Sequence, residues 1–111
     1  GQITLHVQVE GSSTPMEIVL NEEMVVGRRD PSTNEAPEID LTPYGGYQMG
    51  VSRRHAMVRL REKRLEAVDL GSRNGTFING YQLKPHQPVA LQDGDEMRVG
   101  KVVMHLRLVK A

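Results

Sequence analysis

The chain has 111 residues, of which 38% are hydrophobic, and its 14 basic side chains balance 14 acidic ones. This length suits one compact domain with a core and is too short for a typical two-domain enzyme. The chain has no cysteine, no apolar run long enough to span a membrane and no secretion signal, so we expect a soluble, cytoplasmic protein without disulfides or thiol chemistry.

Alternation of apolar and polar residues with a period of two predicts β-strands along much of the chain. In the N-terminal part this pattern predicts strands at residues 3–9, 16–20 and 24–26, with turns between them. The chain begins with Gly1 instead of Met, and we therefore expect residues 1–111 to form a single domain excised from a larger protein.

The segment of residues 29–50 interrupts this pattern. It contains three prolines and a Gly-Gly pair and shows little periodicity. Loops of this length inside a small domain are usually functional or mobile, and we expect one of these roles here.

Alternation resumes at residues 56–61 and places Arg59 and Arg61 on a solvent face. Residues 59–67 are good helix formers, so two helical turns are an alternative interpretation. We favour a hairpin that turns at residues 62–64, because the preceding alternation is regular and no capping residue opens a helix.

Three dipeptides that favour tight hairpin turns follow in the C-terminal half, namely Asn74-Gly75, Asn79-Gly80 and Asp93-Gly94. Alternation over residues 102–108 then predicts a closing strand. Many short strands separated by turn signals predict an all-β sandwich or barrel.

Three clusters between the predicted strands carry residues that could bind an anion. Arg28 follows a strand and a glycine, and its guanidinium can grip a phosphate with two parallel hydrogen bonds. Ser52 offers a hydroxyl beside Arg53, and Arg73 precedes a turn. Each residue alone has a simpler structural interpretation, but together they predict a pocket for one doubly charged anion such as a side-chain phosphate.

The order of these motifs resembles that of the forkhead-associated (FHA) domain, and the likeness runs through nearly the whole chain. The matching motifs are Gly27-Arg28, Ser52-x-x-His55, Asn74-Gly75, Asn79-Gly80, Leu91-x-x-Gly94-Asp95 and Val99-Gly100. Members of that family are β-sandwiches of eleven mostly antiparallel strands. They bind phosphothreonine peptides through loops at one end and are not enzymes. The resemblance therefore implies this fold and a phosphothreonine-dependent binding module for signalling or regulated assembly, without catalytic residues or cofactors.

The resemblance also implies a role for each matched residue. Arg28 and Ser52 would bind the phosphate, together with Arg53 and Arg73 at positions that vary in the family. Asn74 would bind the peptide backbone beside the phosphothreonine. The residues that would support the site without touching the ligand are Gly27, His55, Gly75, Asn79 and Gly80. The partner would be a protein phosphorylated on threonine in a Ser/Thr kinase pathway, with a sequence preference that cannot be transferred from relatives.

Two alternatives concern binding. A domain of the same fold could dock proteins independently of phosphorylation, for which the tyrosines of the 29–50 segment offer a contact surface. Residues 51–64 hold six basic side chains against one acidic side chain, which could attract nucleic acid or anionic lipid. Aromatic residues for base stacking do not interleave with them, and we therefore expect neither nucleic acid nor membrane as the partner.

Two further possibilities concern chemistry. A hydrolase could be assembled from Ser52, His55 and Asp69, but no glycine-framed nucleophile elbow surrounds the serine. None of the four histidines has a partner at the spacing of a helical metal site, and we therefore expect no metal.

Overall fold

The computed structural model describes residues 2–110 and contains eleven strands. Gly1 and Ala111, the ends of the predicted domain, lie outside the described residues. The strands are β1 (Ile3–Val9), β2 (Met16–Val19), β3 (Glu23–Gly27), β4 (Ile39–Asp40), β5 (Arg54–Arg61), β6 (Arg64–Asp69), β7 (Thr76–Ile78), β8 (Tyr81–Gln82), β9 (Val89–Ala90), β10 (Glu96–Val99) and β11 (Val102–Lys110). Within the described range, no helix has the length and apolar character needed to cross a membrane.

The strands form two sheets that share one core. The six-stranded sheet has the order β2-β1-β11-β10-β7-β8, and the five-stranded sheet has the order β4-β3-β5-β6-β9. The neighbouring strands pair antiparallel except for β3 and β4, which are parallel. The predicted sandwich of eleven mostly antiparallel strands is confirmed.

Alternate residues of the strands fill the space between the sheets. In β1 the side chains of Leu5, Val7 and Val9 are buried, and in β3 those of Met24 and Val26 are buried. A single cluster of buried apolar side chains includes these residues and others from both sheets. Because removing apolar surface from water is the main stabilising effect in folding, this cluster holds the sheets together.

The segment of residues 29–50 is more regular than the sequence predicts. It contains the parallel strand β4 and a short 3-10 helix at Thr42–Tyr44. Ile39 and Leu41 are almost completely buried, and the Leu41 N–H donates to the Gly27 carbonyl oxygen at 2.8 Å. The interpretation of this segment as one long loop misses β4, because a two-residue strand is too short to show alternation.

The hairpin between β5 and β6 is confirmed, and the helical alternative for this segment is wrong. The two strands pair from Ala56↔Asp69 to Arg61↔Arg64, so Glu62 and Lys63 form the turn. Both turn residues have positive φ, at 51° and 65°. Pairing of β5 with β3 and β6 satisfies its backbone, and this tertiary context overrides the local helix propensity.

Replacing the turn by Asn-Gly, as Glu62→Asn/Lys63→Gly, should raise the free energy of unfolding by about 1 kcal/mol. A left-handed conformation costs ordinary L-residues roughly 1–2 kcal/mol, and Asn-Gly is the preferred pair for a two-residue hairpin turn. The greater freedom of glycine in the unfolded chain offsets part of this gain. Urea denaturation measures the effect, and an unchanged or lower midpoint would contradict it.

Candidate functional site

Three chain segments meet at one end of the sandwich. β3 ends there at Gly27, the antiparallel β5 begins there, and β6 ends there opposite the start of β5. The turn between β10 and β11 joins them, since Gly100 N–H donates to the Gly75 carbonyl oxygen at 3.1 Å. Residues that are far apart in the sequence are therefore neighbours at this end.

Gly27 brings the end of β3 against the chain before β5. A Cβ atom at this position would lie 1.9 Å from the Arg53 carbonyl oxygen, so only glycine permits the approach. Arg28 follows, and its backbone N–H donates to that same Arg53 carbonyl at 3.3 Å. The glycine therefore places Arg28 directly beside the segment that carries Ser52.

The guanidinium of Arg28 is half-buried and oriented by two contacts. Its Nε donates to the Val51 carbonyl oxygen at 2.8 Å, and its Cζ lies 5.0 Å from the centre of the Tyr47 ring. Within residues 2–110, its two terminal nitrogens make no hydrogen bond, which leaves the forked end of the side chain for a ligand.

The buried side chain of His55 positions Ser52. The ring is fully buried, its Nδ1 accepts a hydrogen bond from the Ser52 N–H at 3.0 Å, and its Nε2 lies 2.7 Å from the Gly75 carbonyl oxygen. Because Nδ1 must keep a lone pair, the ring is neutral and carries its proton on Nε2, which donates to Gly75. One imidazole thus joins the start of β5 to the loop between β6 and β7.

Burial lowers the pKa of His55 below its ordinary value of 6.5. The Gly75 carbonyl and the Asp69 carboxylate favour the protonated ring, but their effect is smaller than that of desolvation. The neutral form that Ser52 requires is therefore also the form that burial favours.

Asp69 anchors the loop between β6 and β7. Its carboxylate is 2% exposed and accepts hydrogen bonds from the Thr76 hydroxyl at 2.6 Å, from the Ser72 hydroxyl and from the N–H groups of Gly71 and Ser72. Burial acts to raise the pKa of Asp69, but these hydrogen bonds together lower it below 3.8. From the sequence, Asp69 is considered only as a member of a possible hydrolase site. Its position two and three residues before the N–H groups that it binds is the signal for a side-chain-stabilised turn.

That loop places Arg73 and Asn74 next to the Ser52 segment. The Arg73 N–H lies 3.5 Å from Ser52 Oγ, and Asn74 Nδ2 donates to the Gly50 carbonyl oxygen at 2.9 Å. Both side chains are exposed. Gly75 follows with a φ of 90°, where a Cβ atom would lie 3.0 Å from neighbouring side-chain atoms.

Arg53 is exposed beside Ser52, with its Nη1 atom 3.6 Å from the Asp30 carboxylate. Direct contacts therefore join the four residues predicted to hold a phosphate, since Arg28 touches the Arg53 backbone and Ser52 touches the Arg73 backbone.

The turn at Asn79 and Gly80 has a different neighbourhood. Asn79 has a φ of 50°, donates from Nδ2 to the Asp95 carboxylate at 3.0 Å and accepts from the Glu96 N–H at 2.9 Å. These bonds fasten the β7–β8 turn to the start of β10. The contacts of this turn are thus with residues 95 and 96, and they support the sheet that carries β7.

The arrangement of Ser52, His55 and Asp69 is not that of a catalytic triad. Both ring nitrogens of His55 bind backbone groups, and Ser52 Oγ lies against the Arg73 N–H. The Asp69 carboxylate accepts from its own loop. A nucleophile needs a general base within hydrogen-bond reach, which this histidine does not provide.

Strand pairing assembles one group that spacing along the chain did not reveal. Glu10, Glu96 and His105 offer ligand atoms within 4.8 Å of one another, because Glu96 pairs opposite His105 across the sheet. His105 Nε2 lies 2.9 Å from the Glu10 carboxylate, so a histidine–glutamate pair accounts for the contact. The sequence search used helical spacing and could not detect ligands from adjacent strands.

Comparison with known proteins assigns the family. The model of the FHA domain family matches residues 24–100, a range that includes every predicted site residue. The chain belongs to the FHA domain family.

Two curated relatives and one solved structure illustrate this likeness. The chain is 49% identical over 51 residues to an oxoglutarate dehydrogenase inhibitor of Corynebacterium efficiens, a match that covers 46% of this chain and 34% of the relative. It is 45% identical over 51 residues to the glycogen accumulation regulator GarA of Mycobacterium tuberculosis, covering 46% of this chain and 30% of the relative. The matches thus span about a third of the length of these relatives. A solved structure from a structural and functional analysis of phosphothreonine-dependent FHA domain interactions has a similar fold, with a TM-score of 0.73. It is 27% identical in sequence, and the match covers 97% of this chain and 99% of that chain.

The neutral, buried His55 predicts that the domain loses stability in mild acid. Because its pKa in the folded state lies below 6.5, the unfolded chain binds the additional proton first, and protonation favours unfolding. The contribution of His55 to the free energy of unfolding should be complete above pH 6.5 and decrease as the pH falls from there through the folded pKa. Asp69, whose pKa is also lowered, adds a second loss that begins near pH 3.8 and continues through its own folded pKa.

Urea denaturation across a pH series measures this loss, and long-range proton–nitrogen NMR spectra follow the His55 ring directly. The spectra should show a neutral ring protonated on Nε2 at neutral pH. A titration midpoint of His55 at or above 6.5 would contradict the prediction.

Proposed function

We propose that this domain binds a protein segment phosphorylated on threonine, and that Arg28, Ser52, Arg53 and Arg73 hold the phosphate. The observation that supports this function is the convergence of three loops, in which the contacts of Ser52 and Arg28 bring the four residues together. A phosphate dianion among guanidinium groups and a hydroxyl receives several charge-assisted hydrogen bonds, whereas an unmodified threonine lacks both the negative charge and the three acceptor oxygens. The similar solved structure, which belongs to an analysis of phosphothreonine-dependent FHA domain interactions, supports the same ligand.

The remaining site residues have supporting roles in this proposal. Asn74 is exposed beside Ser52 and presents an amide that can bind the peptide backbone. Gly27 and Gly75 permit the close backbone contacts on which the loops depend, and His55 holds the Ser52 segment. The turn of Asn79 and Gly80 braces the adjoining sheet.

The domain acts as a recognition module for signalling or regulated assembly and not as an enzyme. The names of the relatives, an inhibitor and a regulator, support a regulatory role. The hydrogen bonds of His55 leave Ser52 without a general base. The partner is a threonine-phosphorylated protein marked by a Ser/Thr kinase, and the chain acts as one domain because both sheets share one core.

The basic run of residues 51–64 does not offer a continuous surface for a polyanion. Arg59 pairs with Glu66 at 2.9 Å and its side chain is only 16% exposed, so the prediction of a solvent-exposed Arg59 was wrong. Arg53 faces Asp30. These carboxylates neutralise part of the run, which favours a local phosphate site over nucleic acid or lipid.

Arg28→Ala should weaken binding of a phosphothreonine peptide by about 10- to 100-fold, because a hydrogen bond to a charged group contributes roughly 1.5–3 kcal/mol. Fluorescence anisotropy with one peptide in its phosphothreonine, phosphoserine and threonine forms measures this effect. The wild-type domain should bind the phosphothreonine form most tightly.

Arg107→Ala provides the matched control, since that arginine is on β11, is 74% exposed and faces Asp93 at 3.5 Å. Thermal melting of both variants separates loss of the ligand from loss of the fold, because Arg28 also bonds to Val51. Equal affinity of Arg28→Ala and wild type for the phosphothreonine form would refute the site. Equal affinity of the wild type for the threonine and phosphothreonine forms would instead identify a docking domain independent of phosphorylation.

A further inference from the structure

A cavity of about 220 Å³ adjoins the proposed phosphate site and has charged walls of both signs. Its lining includes three arginines and three carboxylates, namely Arg28, Arg53, Arg54, Asp30, Glu35 and Glu38. These charges cancel in the free domain. A bound phosphate would add about two negative charges and leave the neighbourhood with an excess of negative charge.

Among the carboxylates of this cavity, Asp30 is the one that contacts a residue predicted to bind the phosphate, namely Arg53. One oxygen accepts hydrogen bonds from the Ser32 N–H at 2.9 Å and from the Ser32 hydroxyl at 2.7 Å. The backbone of Asp30 is also held, since its N–H donates to the Glu35 carbonyl and its carbonyl accepts from the Asn34 N–H. The hydrogen bonds from Ser32 lower the pKa of Asp30, which keeps the group ionised. The second oxygen is directed at Arg53.

The contact between Asp30 and Arg53 is weak enough for a bound anion to replace Asp30 as the partner of Arg53. The closest nitrogen–oxygen distance is 3.6 Å, and the Arg53 side chain is 56% exposed. Exposed ion pairs of this kind contribute little to stability. A phosphate dianion with shorter hydrogen bonds therefore competes well for Arg53. When the Arg53 guanidinium binds the phosphate, the Asp30 carboxylate still accepts the hydrogen bonds from Ser32 but no longer contacts a cation.

We infer that the preferred ligand is a phosphothreonine segment that carries a lysine or arginine close to the phosphothreonine, and that Asp30 is the residue that selects it. The inference rests on the proposed function. The basic side chain of the ligand takes the place of Arg53 opposite Asp30 and restores the charge balance of the cavity. A ligand without this cation leaves Asp30 unpaired beside the phosphate, and this repulsion discriminates against it.

The variant that tests the inference is Asp30→Asn. An asparagine oxygen still accepts the hydrogen bond from the Ser32 N–H, so the substitution removes the charge and retains the turn. Asp40→Asn is the matched control. Asp40 likewise accepts a backbone hydrogen bond, from Thr42 at 2.9 Å, and faces an arginine, Arg29, at 3.7 Å. It does not line the cavity.

The probes are phosphothreonine peptides of one neutral sequence, each with a single lysine at one of the positions before or after the phosphothreonine. The parent peptide has glutamine at these positions. Isothermal titration at low and at high salt compares the wild type with both variants, and the threonine form of each peptide is included.

At one or more positions, lysine should tighten binding to the wild type by about 3- to 5-fold at low salt and less at high salt. Asp30→Asn should remove this preference and bind the glutamine peptide more tightly than the wild type does, whereas Asp40→Asn should keep the preference. A wild type without any lysine preference, or a preference that persists in Asp30→Asn, overturns the role of Asp30. A wild type that binds phosphothreonine and threonine forms equally overturns the proposed function itself, and with it this inference.

Discussion

The neutral imidazole of His55 connects the Ser52 segment to Gly75, which lies twenty residues after His55 in the sequence. It accepts a hydrogen bond from the Ser52 N–H and donates one to the Gly75 carbonyl oxygen, and it does so in a fully buried position. A protonated ring would turn a donor toward the Ser52 N–H and place an unsolvated charge in the core. The positions of Ser52 and of the neighbouring Arg73 and Asn74 therefore depend on a single proton being absent from one ring nitrogen.

The same end of the sandwich is built mainly from contacts to backbone groups. Gly27 lets β3 approach the Arg53 carbonyl group closely, and the Asp69 carboxylate accepts hydrogen bonds from the N–H groups of Gly71 and Ser72. Backbone contacts leave side chains free to differ, and the arginines at 53 and 73 can vary without disturbing the scaffold. A rigid frame with exchangeable side chains is a common way for loops to carry recognition.

Much of the fold follows from the sequence. Regular alternation predicts β1 and β11, and the buried Leu5 and Leu106 on these strands confirm it. β4 was missed because a strand of two residues has no period, and only its parallel pairing with β3 defines it. For the site, the resemblance to the family indicates the residues, but their contacts depend on tertiary structure. The pair of Asp30 with Arg53 spans a segment in which no pattern of residues predicts which charges meet.

The basic and acidic side chains that balance in number are also paired in space at several places. Arginines at several places face a carboxylate, as in the contacts of Arg53 with Asp30, Arg29 with Asp40 and Arg59 with Glu66. Binding of a phosphate to such a surface is an exchange of one anion for another, and its free energy is the difference between the two pairings. The half-buried Arg28 differs from these arginines, because its Nε binds a neutral carbonyl and its terminal nitrogens make no hydrogen bond within residues 2–110. In the proposed mode of binding, Arg28 attracts any phosphate within reach, and Arg53 exchanges its contact with Asp30 for one with the phosphate. In this proposal, affinity for the phosphate comes from Arg28, and selectivity for the rest of the ligand comes from Asp30.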